Sequence, residues 1–571
     1  MKNKDTADIL DRFGDVLEFL DESRFKINAY RRAARAITEM ADDIEVMWNE
    51  NRLGDIPGVG KALQEKISQF LETGRISQLD ELLKQTPKDI FALLSIPYFG
   101  PKTAALAYQQ LGVETLDDLQ KQIETGKLAE LPNMGAKKVE KIKNGLERRQ
   151  QANERFSIGL AWPMAEHIID YIKENCTTDM GRIMPAGSVR RFRETVHDVD
   201  ILVETDDGKS VIDTFVSMPD VTQVLAAGDT KASVLVNDKF QIDLRAIPTS
   251  SYGAALQYFT GSQAHNVRLR ERAKKAGYKI SEYGIYNGDE QIGGKDEAEL
   301  YEALNIDWVP PELREDRGEI EAAEQGDLPE LLTLNDIRGD MHVHSHYSDG
   351  HNTCKEMAVA AVELGYEYLV FCDHSQSSTY ANGLSEERLQ QQIKEVRALN
   401  AELDSIEILS GIELNIHPDG KLDFPDSVLK QLDFVVASVH SGFERDATER
   451  TIAAMNNPFV DVIGHPTGRL ITRRDPLTID MERVISAAAE TGTALEINAN
   501  WDRLDLKDIH ARQAVRANVK LCINTDSHDT GSLYMMVLGV GTARRGWVSR
   551  YDVLNTMPLT DLRSRQKRNR M

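Results

Sequence analysis

The stretch DMHVHSHYSDG (residues 340–350) decides how the C-terminal part of the chain folds. His342 and His344 alternate with apolar residues, and Asp349 follows before a glycine. Alternate residues of a strand point to one face, so the stretch predicts a strand with both imidazoles on one side. Neutral imidazole is the commonest protein ligand for Zn²⁺ and related ions, and carboxylates bridge such ions. The stretch therefore predicts a metal site. His346 lies where the strand should end, and we expect it to face solvent or to support the ligands.

Short apolar strands alternate with helical stretches from about residue 335 onward, which predicts a parallel barrel-like domain. Metal-binding residue types recur at the C-terminal ends of these predicted strands, where such barrels build their active sites. A lone histidine there is usually a hydrogen-bonding residue, but the repetition indicates a shared site for several ions. The nine candidate ligands are His342, His344, Asp349, His374, Glu413, His440, His465, Asp526 and His528.

Three glycine-punctuated segments lie in an N-terminal part that has helical periodicity throughout. They are IPGVGKALQEKI (56–67), SIPYFGPKTAAL (95–106) and LPNMGAKKVEKI (131–142). Glycine lets backbone N–H groups approach a phosphate, and the helix that follows adds its dipole. A single such turn is weak evidence, but three in one helical segment predict binding to the DNA backbone, whatever the base sequence.

The first glycine turn is the strongest candidate DNA contact, through Gly58, Gly60 and the adjoining Lys61, with Arg31 as a further basic residue. The other two copies have Tyr98 and Asn133 in place of the first glycine. Tyrosine adopts left-handed backbone poorly, so the second hairpin is expected to be structural.

A second metal site is predicted within GSVRRFRETVHDVDILVE (187–204). Asp198 and Asp200 point to one side of a predicted strand, and Asp243 can join them from a neighbouring strand. Converging carboxylates suit Mg²⁺. Two ions held there lower the pKa of an attacking 3′-hydroxyl and neutralise a pyrophosphate leaving group.

These motifs make residues 1–308 resemble an X-family DNA polymerase of the DNA polymerase beta type. NAYRRAARAI (28–37), the hairpin at 58–60, GSVRR, DVD and YFTGSQAHNVRLRERA (258–273) follow one another in that family's order. The resemblance implies a nucleotidyltransferase palm in which Asp198, Asp200 and Asp243 hold two Mg²⁺ or Mn²⁺ ions, with gapped or primer-template DNA and dNTPs as substrates. It also implies nucleotide contacts from Ser188 and Arg191 at the triphosphate, Tyr258 and Phe259 at the sugar, and Asn266 and Arg270 at the nascent base pair.

Two bulky residues, Phe192 and His197, depart from the small residues usual in this family's phosphate loop. Their bulk is expected to loosen nucleotide binding or to shift the loop. Lys66 matches the lysine with which relatives remove 5′-deoxyribose phosphate through a Schiff base. That chemistry needs a lowered lysine pKa, and a plain phosphate contact is the competing interpretation for Lys66.

The C-terminal domain resembles the polymerase-and-histidinol-phosphatase (PHP) domain, a distorted (β/α)7 barrel whose nine ligand positions hold up to three Mn²⁺ or Zn²⁺ ions. The fusion is similar to bacterial and archaeal X-family polymerases. In them this domain acts as a Mn²⁺-dependent 3′→5′ exonuclease and sometimes cuts at abasic sites. The resemblance implies gap filling in base excision repair together with processing of 3′ ends.

The predicted organisation combines helical and α/β domains. Its segments are 1–85, a helical DNA-binding domain; 86–150, a helix-hairpin-helix subdomain; 151–245, the palm; 246–310, a nucleotide-selecting subdomain; 311–334, a linker dense in charge; and 335–571, the PHP domain. The basic tail LRSRQKRNRM is expected to fray.

Bulk composition fits a multidomain globular protein, with 41% hydrophobic and 28% charged residues among 571. Four scattered cysteines and the lack of a long apolar run predict a reduced, cytoplasmic chain without a membrane span; we expect a monomer. A net charge of −24 cautions against a nucleic-acid partner, but a local basic surface matters more than the sum.

Two alternative functions remain open from the sequence. The C-terminal domain can be a phosphatase for small phosphate monoesters, although the DNA-binding half argues against that substrate class. The chain can also be a non-catalytic scaffold that bridges DNA ends. The complete sets of carboxylate and histidine ligands argue against decayed catalysis.

Overall fold

The structure is a computed structural model that describes residues 2–40, 44–132, 134–153, 155–237 and 239–569. The chain forms two compact units, residues 1–154 and residues 155–571. Within the described residues, no helix has both the length and the apolar character that a membrane crossing requires.

The first unit is helical throughout its described residues, as the sequence predicts. Two buried clusters stabilise it, one around Phe13 and Tyr30, whose rings stack with centroids 4.3 Å apart, and one around Phe99 and Ile142. Its helices are α1 (Lys2–Phe19), α2 (Arg24–Glu39), α3 (Ile44–Asn49), α4 (Lys61–Thr73), α5 (Ser77–Leu83), α6 (Ile90–Leu94), α7 (Pro101–Leu111), α8 (Leu116–Glu124) and α9 (Ala136–Asn153).

The three glycine segments fold into the same turn. In each, an apolar residue donates its N–H to the carbonyl three residues earlier: Val59 to Ile56 (3.0 Å), Phe99 to Ile96 (3.0 Å) and Met134 to Leu131 (3.1 Å). These three donor residues are buried, and a glycine follows each one immediately before α4, α7 or α9. The helix N-termini therefore start from anchored turns.

A five-stranded sheet, here called the palm sheet, organises the start of the second unit, with strand order β2–β4–β7–β6–β5. β4 and β7 are parallel, and the other neighbouring pairs are antiparallel. The strands before residue 294 are β1 (Phe156–Ser157), β2 (Ile183–Pro185), β3 (Thr195–Val196), β4 (Val199–Glu204), β5 (Val221–Ala227), β6 (Lys231–Val236), β7 (Phe240–Ile247), β8 (Lys279–Ser281), β9 (Gly284–Asn287) and β10 (Glu290–Gly293). The helices there and just after are α10 (Ile158–Asn175), α11 (Gly187–Arg190), α12 (Gly208–Val216), α13 (Tyr252–Thr260), α14 (Gln263–Lys275) and α15 (Glu297–Glu302).

The segment 311–334, predicted as a linker from its charge, contains helix α16 (Glu319–Gln325) and packs into the unit. Its charged side chains are paired inside the protein. Arg314 is fully buried 2.7 Å from Glu297, and Glu319 is fully buried 2.7 Å from His265. Pairing of this kind allows charges to be buried. The segment is therefore a packed connection between the polymerase-like part and the C-terminal part.

The C-terminal part forms a seven-stranded parallel sheet, here called the barrel, with its strands in sequence order. Its strands are β11 (Gly339–Val343), β12 (Tyr368–Phe371), β13 (Glu407–Asn415), β14 (Phe434–Ser438), β15 (Val462–Ile463), β16 (Ala494–Asn498) and β17 (Leu521–Asn524). Its helices are α17 (Cys354–Glu363), α18 (Glu386–Glu402), α19 (Asp426–Leu429), α20 (Thr448–Met455), α21 (Met481–Thr491), α22 (Asp508–Arg516), α23 (Met536–Arg545) and α24 (Leu559–Arg565). Backbone bonds from His344 to Ser527 (2.8 Å) and from Asp526 to His342 (2.9 Å) bring its two edges together. The predicted distorted barrel is confirmed.

The C-terminal tail packs against the barrel, so the prediction that it frays is wrong for the described residues up to Asn569. Lys567 is buried, and its ammonium donates to the carbonyls of Met455 and Asn457 and to Thr493 Oγ1, each at 2.9 Å. A run of basic letters does not reveal such partners, because they lie far away in the sequence.

The palm sheet and the barrel share a packed boundary. Leu504 and Leu538 of the barrel lie in the palm's hydrophobic core, and Ser157 donates to the Trp501 carbonyl at 2.8 Å. Phe192 packs on Trp162 with ring centroids 4.4 Å apart and also contacts α23 at Gly541. The bulk of Phe192 thus has a structural role between the two folds.

Replacing Gly541 with alanine should destabilise the second unit, because the new Cβ would lie 2.1 Å from Phe192 Cδ1. Overpacking of this kind costs about 1–3 kcal/mol, measurable as a lower free energy of unfolding in urea. Adding Phe192→Ala should recover part of the loss. Gly228→Ala, where the nearest atom lies at 3.8 Å, is the control; equal effects at both glycines would contradict the contact.

Candidate active sites

The barrel collects its nine predicted ligands at the C-terminal ends of its strands. Ligand atoms lie within 4.8 Å of one another in three overlapping groups. These groups are His344 with Asp349, His374 and His528; His342 with His344 and Asp526; and His374 with Glu413 and His440. His465 joins them through Glu413, 3.0 Å away. His346 is exposed and lies outside these groups.

Glu413 is the centre of this cluster. Its carboxylate is buried and lies 2.8 Å from His374 Nδ1, 3.2 Å from His440 Nε2 and 3.0 Å from His465 Nε2. Burial opposes its ionisation, but the imidazoles of His440, His374 and His342 keep its pKa well below the usual value. The side chain is therefore an anion inside the fold.

Neighbouring imidazoles have opposite pKa shifts. Burial lowers the pKa of His440 to about 4. For His374 burial also opposes the charged form, but the carboxylates of Glu413 and Asp349 outweigh it and raise the pKa to about 10. A metal ion binds neutral imidazole, so it would displace a proton from this cluster.

Unpaired buried atoms indicate that the cluster fits cations. Within the described residues, His342 Nε2 and His344 Nδ1 are buried and have no hydrogen-bond partner. Buried polar atoms are normally paired, and these two nitrogens lie among carboxylates. A set of imidazole and carboxylate donors suits Mn²⁺- or Zn²⁺-type ions. The residues present therefore fit the metal ions that the sequence predicts.

Glu496 orients the first ligand, a role that the sequence interpretation missed. Its fully buried carboxylate accepts from His342 Nδ1 at 2.7 Å and from the His465 backbone N–H at 2.7 Å. A proton on His342 Nδ1 leaves Nε2 as the ligand atom. The signal was the strand ALEIN, whose glutamate resembles the one in GIELN.

Two further groups border the cluster without having been predicted. Arg503 Nε lies 3.5 Å from Asp526 Oδ2. The ring of Tyr380 lies 6.1 Å from that of His374 and is 55% exposed, which marks the solvent side of the site. No spacing in the sequence connects either residue to the ligands.

The palm aspartates lie on neighbouring parallel strands. Asp200 of β4 is in register with Asp243 of β7, and Asp198 immediately precedes β4. Burial raises the pKa of Asp200 to about 7, and the charges of Asp198 and Asp243 add to the shift. Asp243 Oδ1 is buried without a hydrogen-bond partner. Mutual repulsion and an unpaired oxygen fit a cation, although no trio of oxygens from these aspartates lies within 4.8 Å in the described part of the chain.

The phosphate loop packs directly on this carboxylate pair. Gly187 has φ +58°, and a Cβ there would lie 2.4 Å from Asp200 Oδ2, so glycine is required. Ser188 follows in α11 and is half-buried. The Arg191 guanidinium donates to Glu315 at 3.1 Å and to the Thr260 carbonyl. A triphosphate would have to displace Glu315 to reach Arg191.

The predicted nucleotide contacts on α13 and α14 differ in exposure. Tyr258 and Phe259 form an edge-to-face pair with centroids 5.1 Å apart. Asn266 is buried and donates to the Tyr258 carbonyl at 2.8 Å, whereas Arg270 is exposed. Although Asn266 and Arg270 are four residues apart, their environments are not alike, and Asn266 supports the end of α13.

The predicted DNA contacts of the first unit also differ in how accessible they are to a phosphate. Gly58 has φ +83°, a Cβ on Gly60 would meet no atom within 4 Å, and Lys61 begins α4 and is exposed. The Arg31 guanidinium lies 2.6 Å from Glu18 and 3.1 Å from Asp15, so a phosphate would compete with those carboxylates.

Three further residues of the first unit were singled out in the sequence: Lys66, Tyr98 and Asn133. Lys66 is half-buried and donates to the Ala62 carbonyl at 3.2 Å; its lyase role stays a prediction. Tyr98 adopts φ +67° despite its side chain, and Asn133 lies outside the described residues.

Comparisons with known proteins agree with this arrangement. A family model described as a helix-hairpin-helix domain matches residues 1–76. A second model, a SAM-like helix-hairpin-helix tandem, matches residues 50–106 and again residues 90–148. DNA polymerase beta thumb matches residues 255–315 and PHP domain residues 340–500. The chain is 38% identical over 576 residues to the DNA polymerase/3'-5' exonuclease PolX of Bacillus subtilis (strain 168), with 100% of both chains covered. This chain belongs to the PolX family. Divalent metal use follows from the polymerase and PHP folds of that family.

Two probable phosphatases are similar to only part of this chain. A probable phosphatase of Thermoanaerobacter sp. (strain X514) is 30% identical over 233 residues, which are 38% of this chain and 89% of that protein. Another, from Caldanaerobacter subterraneus subsp. tengcongensis, is 30% identical over 205 residues, 33% of this chain and 75% of that protein. The PolX match extends over both folds.

Replacing Glu496 with glutamine should weaken metal binding by about 10- to 100-fold, the usual effect of removing a carboxylate that orients a histidine ligand. The measurement is a titration of metal-free protein with Mn²⁺. Glu490→Gln, on the exposed side of α21, is the matched control. Unchanged Mn²⁺ affinity in Glu496→Gln would contradict the orienting role.

Proposed function

We propose that this protein is a DNA polymerase that fills short gaps during base excision repair and that also digests DNA from the 3′ end. The palm would extend the strand, and the barrel would act as a 3′→5′ exonuclease with a capacity to cut at abasic sites. We propose that it works as a monomer in the cytoplasm. The observation that carries the proposal is that one chain, similar to a polymerase/exonuclease along its whole length, holds both carboxylate-centred sites.

The palm residues have the chemistry of nucleotidyl transfer. Asp198, Asp200 and Asp243 would hold two Mg²⁺ or Mn²⁺ ions, which supply charge for a 3′-hydroxyl attack on a nucleoside triphosphate. Ser188 and Arg191 would bind the triphosphate, and Tyr258 and Phe259 would border the sugar. Asn266 would hold Tyr258 in place, while the exposed Arg270 would contact the template side.

The barrel residues have the chemistry of metal-assisted phosphodiester hydrolysis. The nine ligands would hold up to three Mn²⁺ or Zn²⁺ ions, and such ions supply hydroxide near neutral pH and stabilise the charge of an in-line displacement. Glu413 and Glu496 keep the imidazoles oriented. The solvent-facing Tyr380 leaves one side of the cluster open to a strand end.

Two double variants should separate the activities on gapped and 3′-recessed DNA. Asp198→Ala with Asp200→Ala should abolish synthesis and leave digestion, because it removes only the palm carboxylates. His342→Ala with His344→Ala should abolish digestion under Mn²⁺ and leave synthesis. Primer extension and shortening are read on the same gel.

The control in that experiment is His346→Ala, which changes an exposed histidine outside the ligand groups and should retain both activities. If the His342→Ala, His344→Ala protein digests DNA at the native rate, the proposed nuclease function of the barrel is wrong. The phosphatase alternative, favoured by the partial similarity to probable phosphatases, predicts rapid hydrolysis of p-nitrophenyl phosphate and little shortening of an oligonucleotide.

The helical unit would hold the DNA backbone through its anchored turns. Lys61→Ala should weaken binding to gapped DNA and make the slope of log affinity against log salt shallower by about one, as expected for one lost phosphate contact. Fluorescence anisotropy measures both quantities. Lys84→Ala, on an exposed lysine paired with Glu81, is the control, and an unchanged slope in Lys61→Ala would exclude the contact.

A further inference from the structure

One loop of the barrel reaches both folds of the second unit. It joins β16 to α22, and its base is closed at the barrel by the backbone bond from the Asn498 N–H to the Asp505 carbonyl at 2.5 Å. Asn498 also donates to the candidate metal ligand Asp526, whose Oδ2 lies 3.0 Å away. The base of the loop is thus fixed to the histidine cluster.

The other side of the loop is anchored in the palm. Leu504 is buried in the palm's hydrophobic core, and Trp501 packs so closely on α10 that a Cβ on Gly159 would lie 2.1 Å from its own. Leu504 has φ +42°, which is unfavourable for a side chain with Cβ. Its burial and its neighbours therefore hold a conformation that the loop alone would not favour.

Arg469 holds this strained stretch against the palm. It is buried, and it donates to the carbonyl of Arg503 at 2.9 Å and to that of Leu504 at 2.5 Å. The same guanidinium lies 2.8 Å from the carboxylate of Glu194, in the palm. The backbone at Arg503 is therefore fixed by contacts from both folds.

The Arg503 side chain extends from this fixed backbone to the edge of the histidine cluster. Its Nε lies 3.5 Å from Asp526 Oδ2, while the other oxygen of Asp526, Oδ1, lies 2.9 Å from His344 Nε2. The guanidinium thus faces the oxygen of Asp526 that is not the one in contact with His344. In the part of the chain that the structure describes, Asp526 is the one carboxylate within 4 Å of it.

A guanidinium is suited to phosphate because it presents several N–H donors in a plane and stays charged. At 3.5 Å and 19% side-chain exposure, the contact with Asp526 is a loose ion pair that leaves donors available. We propose that Arg503 binds the phosphate of the strand cut at the barrel, and that the palm positions Arg503 through Leu504. This inference rests on the proposed exonuclease function.

Phosphate binding tests the inference without relying on turnover. The probe is inorganic phosphate, measured by ³¹P relaxation in protein loaded with Mn²⁺ and carrying Asp198→Ala and Asp200→Ala, so that palm ions do not contribute. Arg503→Met should reduce phosphate affinity about 10- to 100-fold, the value of a charged hydrogen bond. Arg503→Lys should lose less, because it keeps the charge.

The same Arg503→Met change in the otherwise native chain should lower kcat/KM for oligonucleotide digestion about 10- to 100-fold and leave gap filling unchanged. Mn²⁺ affinity should also stay unchanged. A residue that merely balanced the charge of Asp526 would alter Mn²⁺ affinity and spare phosphate binding, and that result would overturn the inference.

The positioning step is tested with two leucines that the barrel buries in the palm core. Leu504→Ala should reduce phosphate affinity about as much as Arg503→Lys does, whereas Leu538→Ala, which lies on α23 and not on the loop, should not. Equal effects of the two alanines would overturn the positioning. Failure of the exonuclease function itself is distinguishable, because the native chain would then not digest DNA at all.

Discussion

A carboxylate buried among imidazoles is the constraint on which the barrel depends. Glu413 is 1% exposed, yet the imidazoles of His440, His374 and His342 keep its pKa well below the usual value. A buried charge is costly unless it is paired or binds a metal ion. Parallel strands can surround a buried charge with partners, since the C-terminal ends of the strands place their side chains on the same face. The order of the strands along the chain thus determines which histidines can reach the glutamate.

The phosphate loop of the palm shares a network of charges with the barrel. Arg545 of α23 donates to the carbonyl of Arg191 at 2.7 Å and to Glu315 at 2.9 Å, and its other amino group lies 2.9 Å from Asp508. Glu315 in turn binds the Arg191 guanidinium. Since the network is largely buried, removing one partner would leave charge uncompensated. Arg191, the proposed triphosphate contact, is therefore held in a network that includes Arg545 of the barrel.

The sequence allowed the fold and the grouping of the candidate ligand residues to be predicted, from strand periodicity together with the resemblance to known families. Alternation placed Asp198 and Asp200, and strand ends placed the nine barrel ligands. Supporting residues were less accessible. Glu496 lies in a strand that resembles the one carrying Glu413, but its role depends on His342, which is distant in sequence. The segment 311–334 failed as a simple linker for the same reason: the partners of Arg314 and Glu319 precede the segment, in the polymerase-like part.

Phe192 shows why a departure from a family pattern can be interpreted only with its partner in view. In the sequence it is a bulky residue beside a phosphate loop, and bulk there suggests weakened nucleotide binding. In the structure its ring fills the space that the absent side chain of Gly541 leaves on α23. A large residue on one fold and a glycine on the other form a single contact, so neither residue is informative alone. The loop that approaches Asp200 is thereby shaped from outside the palm, by the domain that carries the histidine cluster.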